Sequence, residues 1–321
     1  MNISVDLSKS ELQSYLEQLS WISNETISEV VSAGEGNMNV VLRITTDQRS
    51  FILKQSRPYV QKYPDIPAPI ERIDVEAQFY HALSKSDVSQ HLPSVMNYAP
   101  QEYLLMLSDL GAIVDMTSIY HAREIKDSYV EQLVRIAHQC HQSQDVAGFP
   151  ENMELRKLNH QHIFLLPFDG DNGFSLDDVQ VGLQELAKPY QGNIALKSVI
   201  AEMGEHYLSQ GDALVHGDYY PGSWMRSDEE LYVLDPEFAH LGQAEFDLGV
   251  MTAHLIMATH DIDYRSKVIE AYPNEIDQLL LSRYAGIEIM RRLIGLAQLP
   301  ISRILEEKKV LMGIALNLMQ L

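Results

Sequence analysis

Leu12, Tyr15, Leu16 and Leu19 recur at helical spacing, so the sequence predicts an amphipathic helix near its start. Apolar runs of strand length follow at 27–33, 38–44 and 51–54, divided by Gly34-Glu35-Gly36-Asn37 and by Asp47-Gln48. Three such runs at hairpin spacing predict an antiparallel meander. Pro58, Pro64, Pro67 and Pro69 then predict a loop, because proline breaks both helix and ladder. Ile70, Ile73, Ala77, Tyr80 and Leu83 mark a helix carrying Glu76 near its middle, and 103–107 reads as one more strand. Ser108-Asp109-Leu110-Gly111 interrupts the pattern and sets the expected domain boundary, dividing the chain into 1–107 and 108–321.

The remainder has helical periodicity. Tyr129, Leu133, Ile136, Ala137 and Cys140 share one face, and further helices are expected at 176–188, 195–209, 246–259, 275–296 and 301–319. The stretch 151–173 reads as irregular. His138, Cys140 and His141 do not fall on one helix face, so they make a poor metal site, and His160 and His162 read as structural or substrate-facing. A meander followed by helices is an α+β arrangement with a small antiparallel-sheet lobe ahead of a mostly helical one.

Composition narrows the chemistry. The 321 residues are 45% hydrophobic and carry a formal net charge of -21, with a pI near 4.8. Such a field repels phosphate backbones, so general nucleic-acid binding is not expected, whereas a cationic small molecule would be attracted. The single cysteine, Cys140, rules out an internal disulfide and fits a reducing, cytoplasmic setting. Asp6, Lys9 and Glu11 argue against a signal peptide, and the apolar stretch 250–258 is too short for a membrane span and contains His254.

The densest chemistry lies in 213–237. One apolar run delivers His216-Gly217-Asp218, a turn-like YYPGS follows, and a second run at 231–234 delivers Asp235-Pro236-Glu237. Carboxylates gathered at neighbouring loop ends repel unless a cation or a proton intervenes. Protein kinases solve this with an HRDxxxxN loop and a DFG loop. In that pattern Asp218 would orient the attacking hydroxyl and accept its proton, and Asp235 would bind Mg²⁺ on the ATP phosphates. Ser223 stands five residues after Asp218, where the pattern has asparagine. Glu237, two residues beyond Asp235 on an extended segment, would take a second ion or its water shell. The order upstream agrees. Gly34, Gly36 and Asn37 form a hairpin turn that could cradle phosphates, Lys54 would neutralise them while paired with Glu76, and the strand end at Leu107 and Ser108 would read adenine with its backbone. Taken singly, each has a plainer reading: an ordinary hairpin, a solvated lysine, surface acids on loops. Taken in order they form an ATP clamp and a metal site.

EGNMNVVLRI with FILKQSRPYV, HGDYYPGS, VLDPEFAHLGQAEFDLG and IEIMRRLIGLAQLP together resemble the aminoglycoside phosphotransferase-like small-molecule kinases, which share the protein-kinase fold. Within them the chain is most similar to the methylthioribose kinase branch, on Ser223, the phrase DPEFA and the pair Arg291-Arg292 before IGLA. The resemblance runs from about residue 30 to 299. It implies a two-lobe fold, ATP and Mg²⁺ as cofactors, a thiosugar hydroxyl as acceptor, Arg291 and Arg292 beside the acceptor and the moving phosphate, and a possible homodimer. The chain is shorter than expected for that branch, its Asp218-to-Asp235 loop is compact, and NHQHIFLLPF follows no pattern that carries over. A kinase of aminoglycosides, choline or another small alcohol is the alternative, which the acidic charge favours and the arginine pair opposes. A catalytically silent nucleotide-binding protein is a third reading, against which Lys54, Asp218 and Asp235 are all retained.

Overall fold

A computed structural model describes residues 1–34, 38–228, 230–296, 298–299 and 301–321. Helix α1 (Lys9–Gln18) opens the chain. Ser8 and Glu11 close a capping box at its start, and Leu12, Tyr15 and Leu16 are buried. Strands β1 (Ile27–Ser32), β2 (Val40–Thr46) and β3 (Ser50–Gln55) follow as the predicted meander. The proline-rich segment is not simply a loop: it pairs β4 (Tyr59–Val60) with β5 (Tyr63–Pro67) as a separate two-stranded hairpin. Such an isolated pair is all edge, where proline's missing N–H removes no essential ladder bond. Helix α2 (Arg72–Leu83) comes next, then β6 (Val95–Ala99), which the periodicity did not reveal, and β7 (Leu104–Ser108). The main sheet has the order β1-β2-β3-β7-β6 and is antiparallel throughout.

Alternation along these strands decides what each face meets. Leu42, Ile44, Phe51, Leu53, Leu104 and Met106 pack with α1, Trp21 and Ile22 in one core. Leu105 and Leu107 turn the other way, into a second core with α2 and the helical part. Lys54, next to Leu53, is thereby directed away from α1 and toward α2.

Beyond β7 come β8 (Val114–Asp115), α3 (Ile119–Ala122) and α4 (Asp127–His141). The stretch expected to be irregular instead holds helix α5 (Met153–His160) and, running on from it, a π turn at Gln161–Leu165. The helix expected at 176–188 is displaced: a short turn at Leu176–Asp178 precedes α6 (Leu183–Gln191). Helix α7 (Ile194–Leu208) leads to β9 (Ala213–Val215), β10 (Trp224–Arg226), β11 (Leu231–Val233) and β12 (His240–Gly242). The two apolar runs that carry the acidic motifs belong to different small sheets. β9 pairs with β12, whereas β11 pairs with β10 and, through it, with β8. Helices α8 (Ala244–Thr259), α9 (Tyr264–Ala271), α10 (Gln278–Ile294) and α11 (Leu305–Met319) complete the fold, with α10 packed between α8 and α11. No helix among the described residues is long and apolar enough to cross a membrane.

Candidate active site

Two loops meet between the sheet and the helices. The first, after β9, is clamped from below by Asp247 on α8. One carboxylate oxygen accepts the His216 amide at 2.6 Å and the other the Gly217 amide at 2.9 Å, while His141 on α4 lies 3.1 Å from it. Burial would raise the Asp247 pKa, but these partners outweigh it and hold the carboxylate below its usual range. His141, one of the three α4 residues weighed as metal ligands, is thus a buried support, and no group of three His, Cys, Asp or Glu among the described residues is arranged as a metal site. Gly217 has φ +84°, and a Cβ there would stand 2.3 Å from the Phe238 carbonyl oxygen. Only glycine lets the two loops approach this closely. His216 fastens them further, its Nε2 donating to the Leu234 carbonyl at 2.9 Å.

The three carboxylates read from the sequence do not share one cation. Each is directly paired with a different base, while Lys54 also acts on Glu237 at longer range. Lys54 Nζ lies 2.6 Å from Glu76 on α2 and 2.6 Å from Asp235 on the second loop. Burial alone would lower the Lys54 pKa, but Asp235, Glu76 and Glu237 outweigh it and hold the amine protonated. Burial pushes Glu76 up to about 7, with Lys54 drawing it down. Burial would likewise raise Asp235, and Lys54 overcomes it, leaving the pKa low. Asp235 adopts φ +64°, an uncommon conformation for a non-glycine residue, and its amide donates to the buried Tyr80 hydroxyl at 3.2 Å.

That left-handed turn overturns the expectation of an extended segment carrying Asp235 and Glu237 on one side. Glu237 Oε2 instead accepts from Asn39 Nδ2 at 2.9 Å and pairs with Arg72 Nε at 3.2 Å. Arg72 is wholly buried and also donates to the carbonyls of Met38, Arg57 and Pro69. Glu237 therefore ties the second loop to the start of β2 and to the proline-rich segment. Asn152, just before α5, fixes the same loop from the other side through the Glu237 and Ala239 carbonyls at 2.9 and 3.1 Å.

Asp218 meets the helical side. Arg292 Nη2 is 3.4 Å and Arg291 Nη2 4.0 Å from its Oδ1. Its side chain is 26% exposed, against 52% for Asp235. Burial raises the Asp218 pKa, and Arg292 and Arg291 draw it back. The arginine pair read from the late helix is thus beside the first acidic motif rather than in solvent. The Ser223 hydroxyl donates to the Asp218 carbonyl at 3.0 Å, which closes the turn and leaves the oxygen's lone pairs for another partner.

At the edge of the sheet the Ser108 amide and hydroxyl are already paired. The Ser108 amide donates to the Ser94 carbonyl at 2.9 Å, and its hydroxyl accepts the Ser94 amide at 2.9 Å. Leu107 is flanked on both sides, opposite Ile52 and Val95. The Ser108 N–H cannot read a base, and the connection leaving the sheet begins at Asp109. There Arg43 of β2 reaches Asp109 at 2.9 Å and the Gly111 carbonyl at 2.8 Å. Gly34 is exposed with φ +122°, while Gly36 and Asn37 lie outside the described residues. Arg72, Asn39, Asn152, Asp247 and Glu288 were not singled out from the sequence. Their partners are distant in the chain, and only the alternation that buries Lys54 with Glu76 leaves a local trace.

Asp235 fits a hard divalent cation: it presents an exposed carboxylate, with the Ser223 hydroxyl on the neighbouring loop.

The profile of the phosphotransferase enzyme family matches residues 29–281. A methylthioribose kinase of Exiguobacterium sibiricum is 27% identical over an alignment spanning 87% of this chain and 82% of that protein. The Bacillus mycoides methylthioribose kinase is 25% identical over 82% of this chain and 78% of its own. Among solved structures, a choline kinase from Cryptosporidium parvum superposes with a TM-score of 0.59 at 9% identity, covering 98% of this chain and 96% of that one. A spectinomycin phosphotransferase bound to ADP and spectinomycin gives 0.53 at 15% identity, covering 96% and 98%. At these identities the structures speak for the fold alone.

Proposed function

The chain belongs to the phosphotransferase enzyme family, and from that premise we propose that it transfers the γ-phosphoryl group of ATP to a hydroxyl of a small thiosugar, S-methyl-5-thioribose, at its 1-position. The observation that carries this reading is the placement of Asp218, on the loop after β9, against Arg291 and Arg292, and of Asp235, on the second loop, against Lys54, which is itself paired with Glu76. The relatives that share most of the chain support the acceptor.

In this reading Asp218 accepts a hydrogen bond from the acceptor hydroxyl and aligns its oxygen with the γ-phosphorus. The new O–P bond forms as the bridging P–O bond to ADP breaks, and the hydroxyl proton passes late to Asp218. Arg291 and Arg292 face the charge on the transferring group, already oriented before it arrives. Lys54 balances the α- and β-phosphates and is itself held by Glu76. Asp235, with the Ser223 hydroxyl from the neighbouring loop, would hold Mg²⁺, which when bound neutralises phosphate oxygens. Glu237 is assigned to holding the loop through Arg72 and Asn39 rather than to a second ion.

A kinase of a cationic alcohol is the second reading, favoured by the net charge of -21. Two guanidiniums beside Asp218 would repel such an acceptor. The test is ADP release by purified protein with ATP, Mg²⁺ and each of methylthioribose, choline and an aminoglycoside. Turnover with methylthioribose above the others is expected. Turnover with another acceptor and none with methylthioribose would remove the substrate assignment and keep the class. ATP binding without turnover on any acceptor would favour a silent nucleotide-binding protein.

A further inference from the structure

We propose that Glu288 is a positioning residue for this reaction: it sets both guanidiniums against Asp218, and a buried chain through His254 and Tyr120 sets Glu288. The inference rests on the phosphotransferase reading above and adds residues to it.

Glu288, Arg291 and Arg292 stand at i, i+3 and i+4 on α10, so they share one face. Glu288 is buried. Its Oε1 accepts from Arg292 Nε at 2.7 Å and its Oε2 from Arg291 Nε. Tying the two Nε atoms to one carboxylate fixes both guanidinium planes. The Nη2 ends then project past Glu288 to Asp218, at 3.4 Å from Arg292 and 4.0 Å from Arg291. The Arg292 guanidinium carbon also stands 5.0 Å from the Tyr220 ring centroid, which holds its face.

Glu288 is itself fixed from behind. His254 on α8 is fully buried, with Nε2 3.0 Å from Glu288 Oε1 and Nδ1 2.6 Å from the Tyr120 hydroxyl of α3. A hydroxyl donating to Nδ1 leaves the ring proton on Nε2, pointed at the carboxylate. The chain Tyr120–His254–Glu288–Arg292–Asp218 thus joins α3, α8, α10 and the loop after β9 by polar contacts. A knot that merely held α8 to α10 would not need its far end at the half-open Asp218.

Glu288→Gln keeps the size and removes the charge. Expected is a loss of kcat of roughly a hundredfold, since small misplacements near reacting groups have that effect, with the KM for ATP unchanged. His254→Gln retains a donor toward Glu288 and keeps most of the kcat, whereas His254→Phe fills the volume without one and loses about tenfold. A folded Glu288→Gln enzyme with wild-type kcat overturns the proposal. If Glu288→Gln does not fold, equal kcat in the two His254 variants overturns it. Absence of turnover by the wild type on every acceptor would instead defeat the functional reading. The positioning claim is then decided by the crystal structure of His254→Phe: Glu288 and the arginines displaced from Asp218 supports it, and both arginines unmoved overturns it.

Discussion

Lys54 and Glu76 lie 2.6 Å apart, both buried, and the same ammonium reaches Asp235 at 2.6 Å. One cation therefore joins β3, α2 and the second acidic loop. Lys54→Met strands a buried carboxylate and is expected to cost roughly 3–5 kcal/mol in urea unfolding. Adding Glu76→Leu removes the stranded charge, so the double variant recovers most of that loss. A double variant no more stable than Lys54→Met would show that the pair is not the source of the effect.

Gly217→Ala must place a Cβ 2.3 Å from the Phe238 carbonyl oxygen at φ +84°. It is expected to lower stability by more than about 1 kcal/mol. Because Asp218 is the next residue, kcat should fall further than the population of unfolded protein explains. Thermal unfolding and steady-state rates at a temperature well below the midpoint separate the two effects.

Asp235 and Glu237 differ in exposure and in partners, so their variants should differ in kind. Asp235→Asn is expected to raise the Mg²⁺ concentration needed for half-maximal turnover sharply. Glu237→Gln weakens the tie to Arg72 and lowers the melting temperature, with little change in that Mg²⁺ requirement. A Mg²⁺ titration of both variants checks the assignment, and equal shifts would return Glu237 to the metal.

Burial holds His254 neutral, its pKa lowered to about 4 with the two arginines adding to the effect of desolvation. At this residue the folded state binds fewer protons than the unfolded chain between the ordinary histidine value and about 4. Stability from this residue is present at neutral pH and lost as pH falls through that window, by roughly 3 kcal/mol in total. In His254→Gln that loss is absent. The stability difference between wild type and variant should therefore shrink from pH 7 to pH 4, as read by chemical denaturation at each pH. A difference independent of pH would mean that His254 titrates normally in the fold.

The parts of the molecule that were legible in the sequence are those with local periodicity. The meander, α2 with Glu76 and the late helices follow from apolar spacing, and Lys54 follows from its place in order between the glycine hairpin and Glu76. The acidic motifs were visible as residues, but their partnering was not, because Arg72 meets Glu237, Asp247 meets His216 and Arg292 meets Asp218 across long stretches of chain. β4 and β5 were hidden by prolines that an isolated edge pair tolerates. Helix α5 was hidden because only Leu155 and Arg156 of its eight residues are buried, too few to make a stripe. The use of the Ser108 amide by Ser94 was not legible, because no local pattern announces it.

The central claim is that Asp218 directs phosphoryl transfer from ATP to a thiosugar hydroxyl. Its most direct test is phosphorus NMR of methylthioribose incubated with ATP, Mg²⁺ and either wild type or Asp218→Asn. The wild type should form a sugar phosphate and ADP in equal amounts. Asp218→Asn should bind ATP normally and turn over about 10²–10⁴-fold more slowly. Undiminished product formation by Asp218→Asn would contradict the account.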